Sequence, residues 1–195
     1  MLTLSLLTGL ALASPPRPCA TPWLRERFPA PRIQVPRIPP AAPVKEERDS
    51  FEAVHAHSSE NFVIRWGTSQ VVPSEQVEAM LTALERAWTM EVVEMDHPVP
   101  VGSDLYRFNV YVADTGVEGP WGPIGDFGAA GWFYPDDGEG YPFMVLSMET
   151  MADLEAGGLT AAHELYHAIQ SATGRFTEEI GTWFWEATAT WIEAE

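Results

Sequence analysis

The chain has 195 residues, enough for one domain with a hydrophobic core and too few for two large ones. Its net charge of −17 is unevenly distributed, with a balance of +3 in residues 1–50 and −20 in residues 51–195. Because a domain surface this acidic repels phosphate backbones, we expect no nucleic-acid partner.

The first 13 residues predict a signal peptide. Leu2 to Leu12 form a short apolar block, and Ala11-Leu12-Ala13 fits the small-x-small cleavage pattern, although no Lys or Arg precedes the block. An apolar block of this length is too short to span a bilayer. We therefore expect a secreted or extracytoplasmic protein with no stable membrane insertion.

Residues 14–50 predict a linker or leader outside the folded core. Ten prolines in this segment remove backbone donors and favour extended conformations. The segment contains Cys19, the only cysteine, so no disulfide can form within the chain. We expect Cys19 to be an exposed thiol, and the arginines of the segment to be solvated or to lie against the acidic domain.

Residues 51–195 predict one α+β domain whose elements follow the order strand, helix, strand, two strands joined by a turn, helix, helix. The predicted ranges are a strand at 61–66, a helix of about six turns from the N-cap Ser74, a strand at 106–114, strands on either side of a turn at 136–140, and helices at 159–173 and from 177 to the end. The chain ends inside the last predicted helix, so we expect the domain to be incomplete at its C-terminal end.

The turn at 136–140 contains three acidic residues, Asp136, Asp137 and Glu139. Their spacing does not match the helix-loop-helix calcium pattern. We therefore expect a solvated polar turn and no calcium site.

The strongest chemical signal is the sequence HELYH at residues 163–167. A separation of four residues leaves His163 and His167 about 40° apart on a helix, one turn above the other, so both rings can reach one ion. Glu164 lies at the edge of the same face, where it can take a proton from a water activated by the metal. The pattern predicts a zinc site with its own base.

The alternative is a buried helix with two hydrogen-bonded histidines and a surface glutamate, because the five-residue pattern also occurs by chance. The residues around it are uncharged from Thr160 to Ile169 apart from the motif itself. A helix that binds a metal beneath a cleft is buried on its other sides and needs uncharged residues around the motif. The observed neighbours therefore favour the metal site. His55, His57 and His97 lie outside the pattern and are expected at the surface or in loops.

A catalytic zinc site needs a third protein ligand and an open fourth position. A third histidine six residues after His167 is absent, since Thr173 stands there. Glu186 follows after a gap of eighteen residues, among aromatic and small residues, where a carboxylate needs a facing positive charge. Glu193, two turns further on, is the competing ligand, whereas Glu178 and Glu179 belong to a polar helix start.

The segments TAAHELYHAIQ and WFWEATATWIE together resemble the gluzincins, the zincin metallopeptidases with a glutamate as third ligand. They resemble more narrowly a group of secreted bacterial metalloproteases, with weaker similarity at PCATP and SENFVIRWG. The resemblance implies a zincin-like subdomain, in which a twisted mixed sheet packs on the active-site helix and an edge strand, PFMVLSM (142–148), lines the cleft.

The resemblance also implies one zinc ion held by His163, His167 and Glu186, with Glu164 as the base. Thermolysin-like relatives have an aspartate four residues after the ligand glutamate, where this chain has Thr190, and no match to their oxyanion-stabilising residue is found.

We therefore expect a zinc-dependent metalloendopeptidase that acts on a peptide or protein substrate. The alternative is a non-catalytic, zinc-stabilised domain for binding or adhesion, although such a domain has no use for a base at Glu164. A helical core without metal is the third possibility.

Overall fold

The computed structural model of the protein describes residues 19–21, 45–136, 140–174 and 182–194. These residues form an α+β fold in which a five-stranded mixed sheet packs against helices, as the sequence predicts. None of the helices in these ranges is long and apolar enough to cross a membrane.

The strands are β1 His55–Ser58, β2 Phe62–Trp66, β3 Phe108–Val112, β4 Glu118–Gly119, β5 Gly122–Pro123, β6 Gly131–Pro135 and β7 Pro142–Leu146. The α-helices are α1 Ser74–Trp88, α2 Met148–Ala152, α3 Leu154–Ala172 and α4 Thr182–Ile192, and one π-helical stretch, Thr89–Glu94, continues α1. β4 and β5 form a separate two-stranded ribbon.

The main sheet has the order β1-β2-β3-β7-β6, with β2, β3 and β7 parallel to one another and the two outer strands antiparallel. The prediction that residues 142–148 form the edge strand is wrong, because β7 lies between β3 and β6. β6 is the edge strand next to helix α3. All five residues of β7 are buried, as is usual for a strand covered on both faces.

Alternation along β3 directs side chains into two different layers. Phe108, Val110 and Val112 pack with α1 and α3 on one face, whereas Tyr111 packs with Trp132 and the loop layer around β4 and β5 on the other. The sequence predicts this alternation correctly. Both faces are nevertheless buried, so the second face is not a solvated one.

The first helix has the predicted buried stripe, including Val77, Leu84 and Trp88. Its N-cap is Pro73, which offers no side-chain hydrogen bond, so the predicted cap at Ser74 is one residue late. The last predicted turns are π-helical at Thr89–Glu94 instead of α-helical.

The helix that carries the HELYH motif, α3, begins five residues before its predicted start. The side chain of Asp153 accepts a hydrogen bond from the Ala156 backbone N–H and caps the helix. Gly157 in the first turns allows α2 to approach closely, since a Cβ there would lie 2.1 Å from the Thr150 carbonyl oxygen. The final predicted helix is observed as α4, and residues 175–181 before it lie outside the described residues.

Parts of the predicted leader pack against the domain. Glu46 bridges to Tyr106 in parallel, and Arg48 bonds to the carboxylate of Asp136 at 2.5 Å. Ala20 and Thr21 are also buried. These contacts differ from the expected arm outside the core, because the folded contacts begin before residue 51. The predicted signal peptide at 1–13 and most of residues 14–50 lie outside the described residues.

The predicted pair of strands on either side of residues 136–140 is observed as β6 and β7. Asp136 is only 3% exposed and is paired with Arg48, so it is not a solvated turn residue. Asp137 and Glu139 lie outside the described residues.

Candidate metal centre

The buried face of α3 carries the three motif residues. His163 is 6% exposed, and Glu164 and His167 are fully buried. The two imidazole rings meet edge to face with centroids 4.7 Å apart, as expected for residues one helical turn apart. The helix therefore presents both rings and the carboxylate toward the same side of the domain.

Helix α4 packs against α3 and brings Glu186 between the two histidines. Glu186 Oε2 lies 3.4 Å from His163 Nε2, and Glu186 Oε1 lies 3.3 Å from His167 Nε2. Each carboxylate oxygen thus faces a different ring. Glu178 and Glu179, the two acids at the polar helix start, lie outside the described residues.

Glu193, the competing candidate, contacts the opposite nitrogen of the same ring. Its Oε1 lies 2.6 Å from His163 Nδ1. Gln170 has the equivalent position at the second ring, with Oε1 2.8 Å from His167 Nδ1 and Nε2 donating to the Trp185 carbonyl and to Thr188 Oγ1. Because metal-binding histidines usually have their other ring nitrogen held by such a partner, Glu193 and Gln170 fit the role of orienting residues.

Cys19 completes the group, although the sequence indicates only an exposed thiol. Its Sγ lies 3.6 Å from His167 Nε2, across a sequence separation of 148 residues. One donor atom each from Cys19, His163, His167 and Glu186 lies within 4.8 Å of the others. The segment PCATP shows only a weak similarity to secreted bacterial metalloproteases, and nothing in its local pattern indicates a contact with α3.

Thr21 contacts the expected base. Its hydroxyl donates to Glu164 Oε2 at 3.2 Å and accepts from the Phe133 backbone N–H in β6 at 3.0 Å. The start of β6 also packs closely against Glu164, since a Cβ on Gly131 would lie 3.1 Å from Glu164 Cγ. Sequence reasoning missed Thr21, because the contact depends on tertiary structure alone.

Three buried polar atoms of this centre have no hydrogen-bond partner within the described ranges: His163 Nε2, Glu164 Oε1 and Glu186 Oε1. Buried polar atoms are otherwise almost always paired, so a cluster of unpaired ones needs an explanation. Two of them nevertheless lie close to a group of opposite charge, since His163 Nε2 is 3.4 Å from Glu186 Oε2 and Glu186 Oε1 is 3.3 Å from His167 Nε2. A cation between the imidazoles and the carboxylate of Glu186 would give these atoms a partner.

Three donor-to-donor distances agree with the spacing around one tetrahedral ion, although each oxygen of the Glu186 carboxylate faces a different imidazole. Two nitrogen or oxygen donors about 2.0–2.1 Å from one zinc ion lie about 3.3–3.4 Å apart, and a sulfur donor at about 2.3 Å lies about 3.6 Å from a nitrogen donor. The two observed carboxylate–imidazole distances are 3.3 and 3.4 Å, and the thiol–imidazole distance is 3.6 Å. Imidazole, carboxylate and thiol donors are also the set that zinc accepts.

Electrostatics at the centre indicate a need for positive charge. Burial lowers the pKa of His163, but the contact with Glu186 and the neighbouring carboxylates outweigh it and raise the pKa to about 9. Burial raises the pKa of Glu186, but the contacts with the two imidazoles outweigh it and lower the pKa to about 2. A protonated histidine thus balances the carboxylate when no other cation does.

Burial also raises the pKa of Glu164, against the opposing effect of the two imidazoles. Burial, followed by the charges of Glu164 and Glu186, raises the pKa of the Cys19 thiol. A positive ion at the centre would favour the charged form of both groups.

The remaining histidines are distant from this group. His55 and His57 are exposed on the edge strand β1, as expected for surface residues. His97 is partly buried, and its ring lies tilted against that of Tyr166 with centroids 5.5 Å apart. None of the three belongs to the metal-sized group found in the described part of the chain.

Comparison with curated proteins gives no match, and comparison with solved structures gives none. The family whose description is "Family of unknown function (DUF6055)" matches residues 30–195. This match covers most of the sequence and includes the motif helix and α4. The chain therefore belongs to the DUF6055 family.

Proposed function

We propose that the protein is a zinc-dependent metalloendopeptidase with a zincin-like, gluzincin-type site. His163, His167 and Glu186 would hold the ion, and Glu164 would be the general base. The observation that supports this most is the convergence of four donor atoms within 4.8 Å of one another, beside the unpaired, buried oxygen Oε1 of Glu164. When bound there, zinc supplies Lewis acidity that makes water a nucleophile near neutral pH.

The residues of this chain have separate tasks in the proposed reaction. Glu164 Oε1 is free of protein partners in the described ranges and accepts a proton from the attacking water. The same carboxyl then delivers the proton to the leaving amine. Glu193 and Gln170 hold the outer ring nitrogens, which fixes the tautomer and direction of each imidazole.

The edge strand β6 supports an extended peptide as the substrate. Gly131 O and Phe133 N point away from β7, on the side where Thr21 joins Phe133 N to the carboxylate of Glu164. An extended peptide that pairs with these groups would lie directly over the base. The expected secretion and the signal peptide remain part of this proposal.

The second candidate function is a non-catalytic, zinc-stabilised binding or adhesion domain. It is favoured by Cys19, because a fourth protein donor closes the coordination shell, as in structural zinc sites. The two functions differ in what happens once Cys19 is removed.

The test compares the full chain with a Cys19→Ala chain. In each of them, Glu164→Gln removes the proposed base, and Glu155→Gln is the control. Glu155 is an exposed glutamate on the same helix. We expect zinc to bind in all of them at about one ion per chain. In the Cys19→Ala background, Glu164→Gln should reduce hydrolysis of a peptide library by about 10²-fold to 10⁴-fold, the usual contribution of general acid–base catalysis.

Glu155→Gln should leave the rate unchanged. Zinc binding without hydrolysis in any chain would support the binding domain instead. Absence of zinc from every chain would exclude both functions.

A further inference from the structure

We propose that Cys19 is the fourth ligand of the metal centre and that residues 19–21 occupy the position of the substrate, so that the described arrangement is a latent, self-blocked state. The inference rests on the proposed zinc-dependent function. It adds a ligand, a blocking segment and a form of regulation to that site.

The first support is the environment of the thiol. Cys19 Sγ faces His167 Nε2 at 3.6 Å, the spacing of a sulfur and a nitrogen on one ion. Two unpaired atoms point into the same space: His163 Nε2, on a side chain 7% exposed, and Glu164 Oε1, on a residue 0% exposed. This pairing of a thiol with unpaired buried donors separates Cys19 from an ordinary buried cysteine.

The second support is the backbone of the segment. Ala20 N–H donates to Gly131 O at 3.3 Å, and the hydroxyl of Thr21 accepts from Phe133 N–H at 3.0 Å. These are two of the outward backbone groups of β6 that an extended peptide would use. Residues 19–21 thus cover the edge strand from within the same chain.

The third support is the base. Thr21 Oγ1 donates to Glu164 Oε2 at 3.2 Å, so its hydroxyl joins the edge strand to the carboxylate that would activate water. One hydroxyl can donate once and accept at the same time, which both contacts require. The segment therefore engages the edge strand, the base and the metal position together.

The space left around the site agrees with a blocked cleft. The cavity bordered by Cys19, Gly131, His163 and Glu164 has a volume of about 50 Å³. This holds a few water molecules, whereas pockets that bind ligands measure about 300–1,000 Å³. A peptide residue can enter only after residues 19–21 leave.

The chemistry of blocking needs no oxidant or reductant. Cys19 would bind the ion as a thiolate, with its S–H proton released to solvent. Opening would be the reverse exchange, in which water takes the place of sulfur and the thiolate regains a proton from solvent. Alkylation of the sulfur forms a C–S bond with loss of the leaving group and prevents the return.

The experiment replaces the metal with Co²⁺ in the full chain, in Cys19→Ser and in Thr21→Val. Exposed Thr68→Val is the control for the threonine change. We expect sulfur-to-cobalt charge-transfer absorption in the parent and its complete loss in Cys19→Ser. Because the chain has one cysteine, thiol labelling reports on this residue alone, and metal should slow it at least tenfold.

Hydrolysis is then measured with zinc. If the segment covers the cleft in about 90% of molecules, Cys19→Ser should increase the rate about tenfold, and more at higher occupancy. Thr21→Val should give a smaller increase, and Thr68→Val none. A parent chain alkylated before metal loading should match Cys19→Ser, which tests the same point without a substitution.

The outcomes separate this inference from the proposed function. Bound metal without charge-transfer absorption, with rapid thiol labelling, would overturn the inference and leave the peptidase intact. Charge transfer that is lost in Cys19→Ser, but with no hydrolysis in any form, would keep Cys19 as a ligand, overturn the latent state and reject the peptidase. Failure of every chain to bind metal would overturn both.

Discussion

The two faces of the sheet each bury a polar cluster, and the clusters differ in whether the protein satisfies them. The far-face cluster is Arg65, Asn109, Tyr111 and Asp49. Arg65 Nε donates to Asn109 Oδ1 at 2.8 Å, Tyr111 donates to Asp49 Oδ1 at 2.8 Å, and Asp49 also accepts from the guanidinium. Every charge there has a partner of opposite sign in the chain.

The site cluster on the other face is His163, Glu164, His167 and Glu186. Within the described ranges it leaves three buried atoms unpaired. Burial alone is therefore no sign of function, since both clusters are buried to a similar degree. The difference shows that a candidate site is recognised where buried donors converge and the chain supplies no partner for them.

The largest expected effect is on metal binding by the site cluster. Glu186→Ala should weaken zinc binding on the order of 1,000-fold, beyond the 10-fold to 100-fold loss caused by removing outer-shell partners. Glu193→Ala should weaken zinc binding only by this smaller factor, because Glu193 contacts His163 Nδ1 and does not itself bind the ion. Equilibrium dialysis against a competing chelator measures both.

A greater loss in Glu193→Ala than in Glu186→Ala would reverse the assignment of ligand and orienting residue. Similar affinities for both variants and the parent would place the ion elsewhere.

The far-face cluster should respond through stability instead. Arg65→Met should lower the free energy of unfolding by about 3 kcal/mol, the low end for breaking a buried charge pair. The low end applies because the Asp49 side chain is 22% exposed and keeps three other donors. Urea unfolding measures the change, with exposed Arg86→Met as the control.

Zinc affinity of Arg65→Met should equal that of the parent. If Arg65→Met lost its metal while remaining folded, the separation between a structural and a functional cluster would fail.

A further effect, which depends on pH, concerns a third kind of buried acid. Glu91 is 0% exposed in the π-helical stretch, and neither carboxylate oxygen has a hydrogen-bond partner among residues the structure describes. Burial raises its pKa from 4.5 to about 9. The folded chain keeps this proton at pH values where the unfolded chain has lost it, so stability should fall as pH rises between these values.

The free energy of unfolding should fall by at most about 1.4 kcal/mol for each pH unit in this range. Glu91→Gln should remove this contribution and leave zinc affinity unchanged, as measured by urea unfolding from pH 5 to pH 9. A parent and a Glu91→Gln chain with equal slopes would mean that Glu91 is ionised in the folded protein.

Local patterns in the sequence predict the parts of this structure that depend on local spacing. Helix α1 and its buried stripe, the alternation of β3 and the arrangement of His163 with His167 all follow from residue periodicity. The return of a following helix toward α3 was also predictable, but spacing left Glu186 and Glu193 as alternatives, and the packing of α4 on α3 brings Glu186 between the rings.

Contacts between distant segments were not predictable. Cys19 and His167 are 148 residues apart, and nothing in the sequence PCATP specifies where that segment packs. Whether β7 or β6 forms the edge depends on strand order, since both are fully buried five-residue runs. Asp49 was assigned to a leader by composition, although its contacts satisfy a buried arginine.

The covered edge of β6 has a consequence for the behaviour of the protein in solution. If residues 19–21 leave, Gly131 O and Phe133 N lose their partners, and an apolar strand is left with an open side. Open strand edges pair with other chains and promote aggregation. The opposite edge, β1, is short, polar and exposed, which makes it a poor template. Self-association should therefore begin at β6, increase in the opened form and be suppressed by a bound peptide.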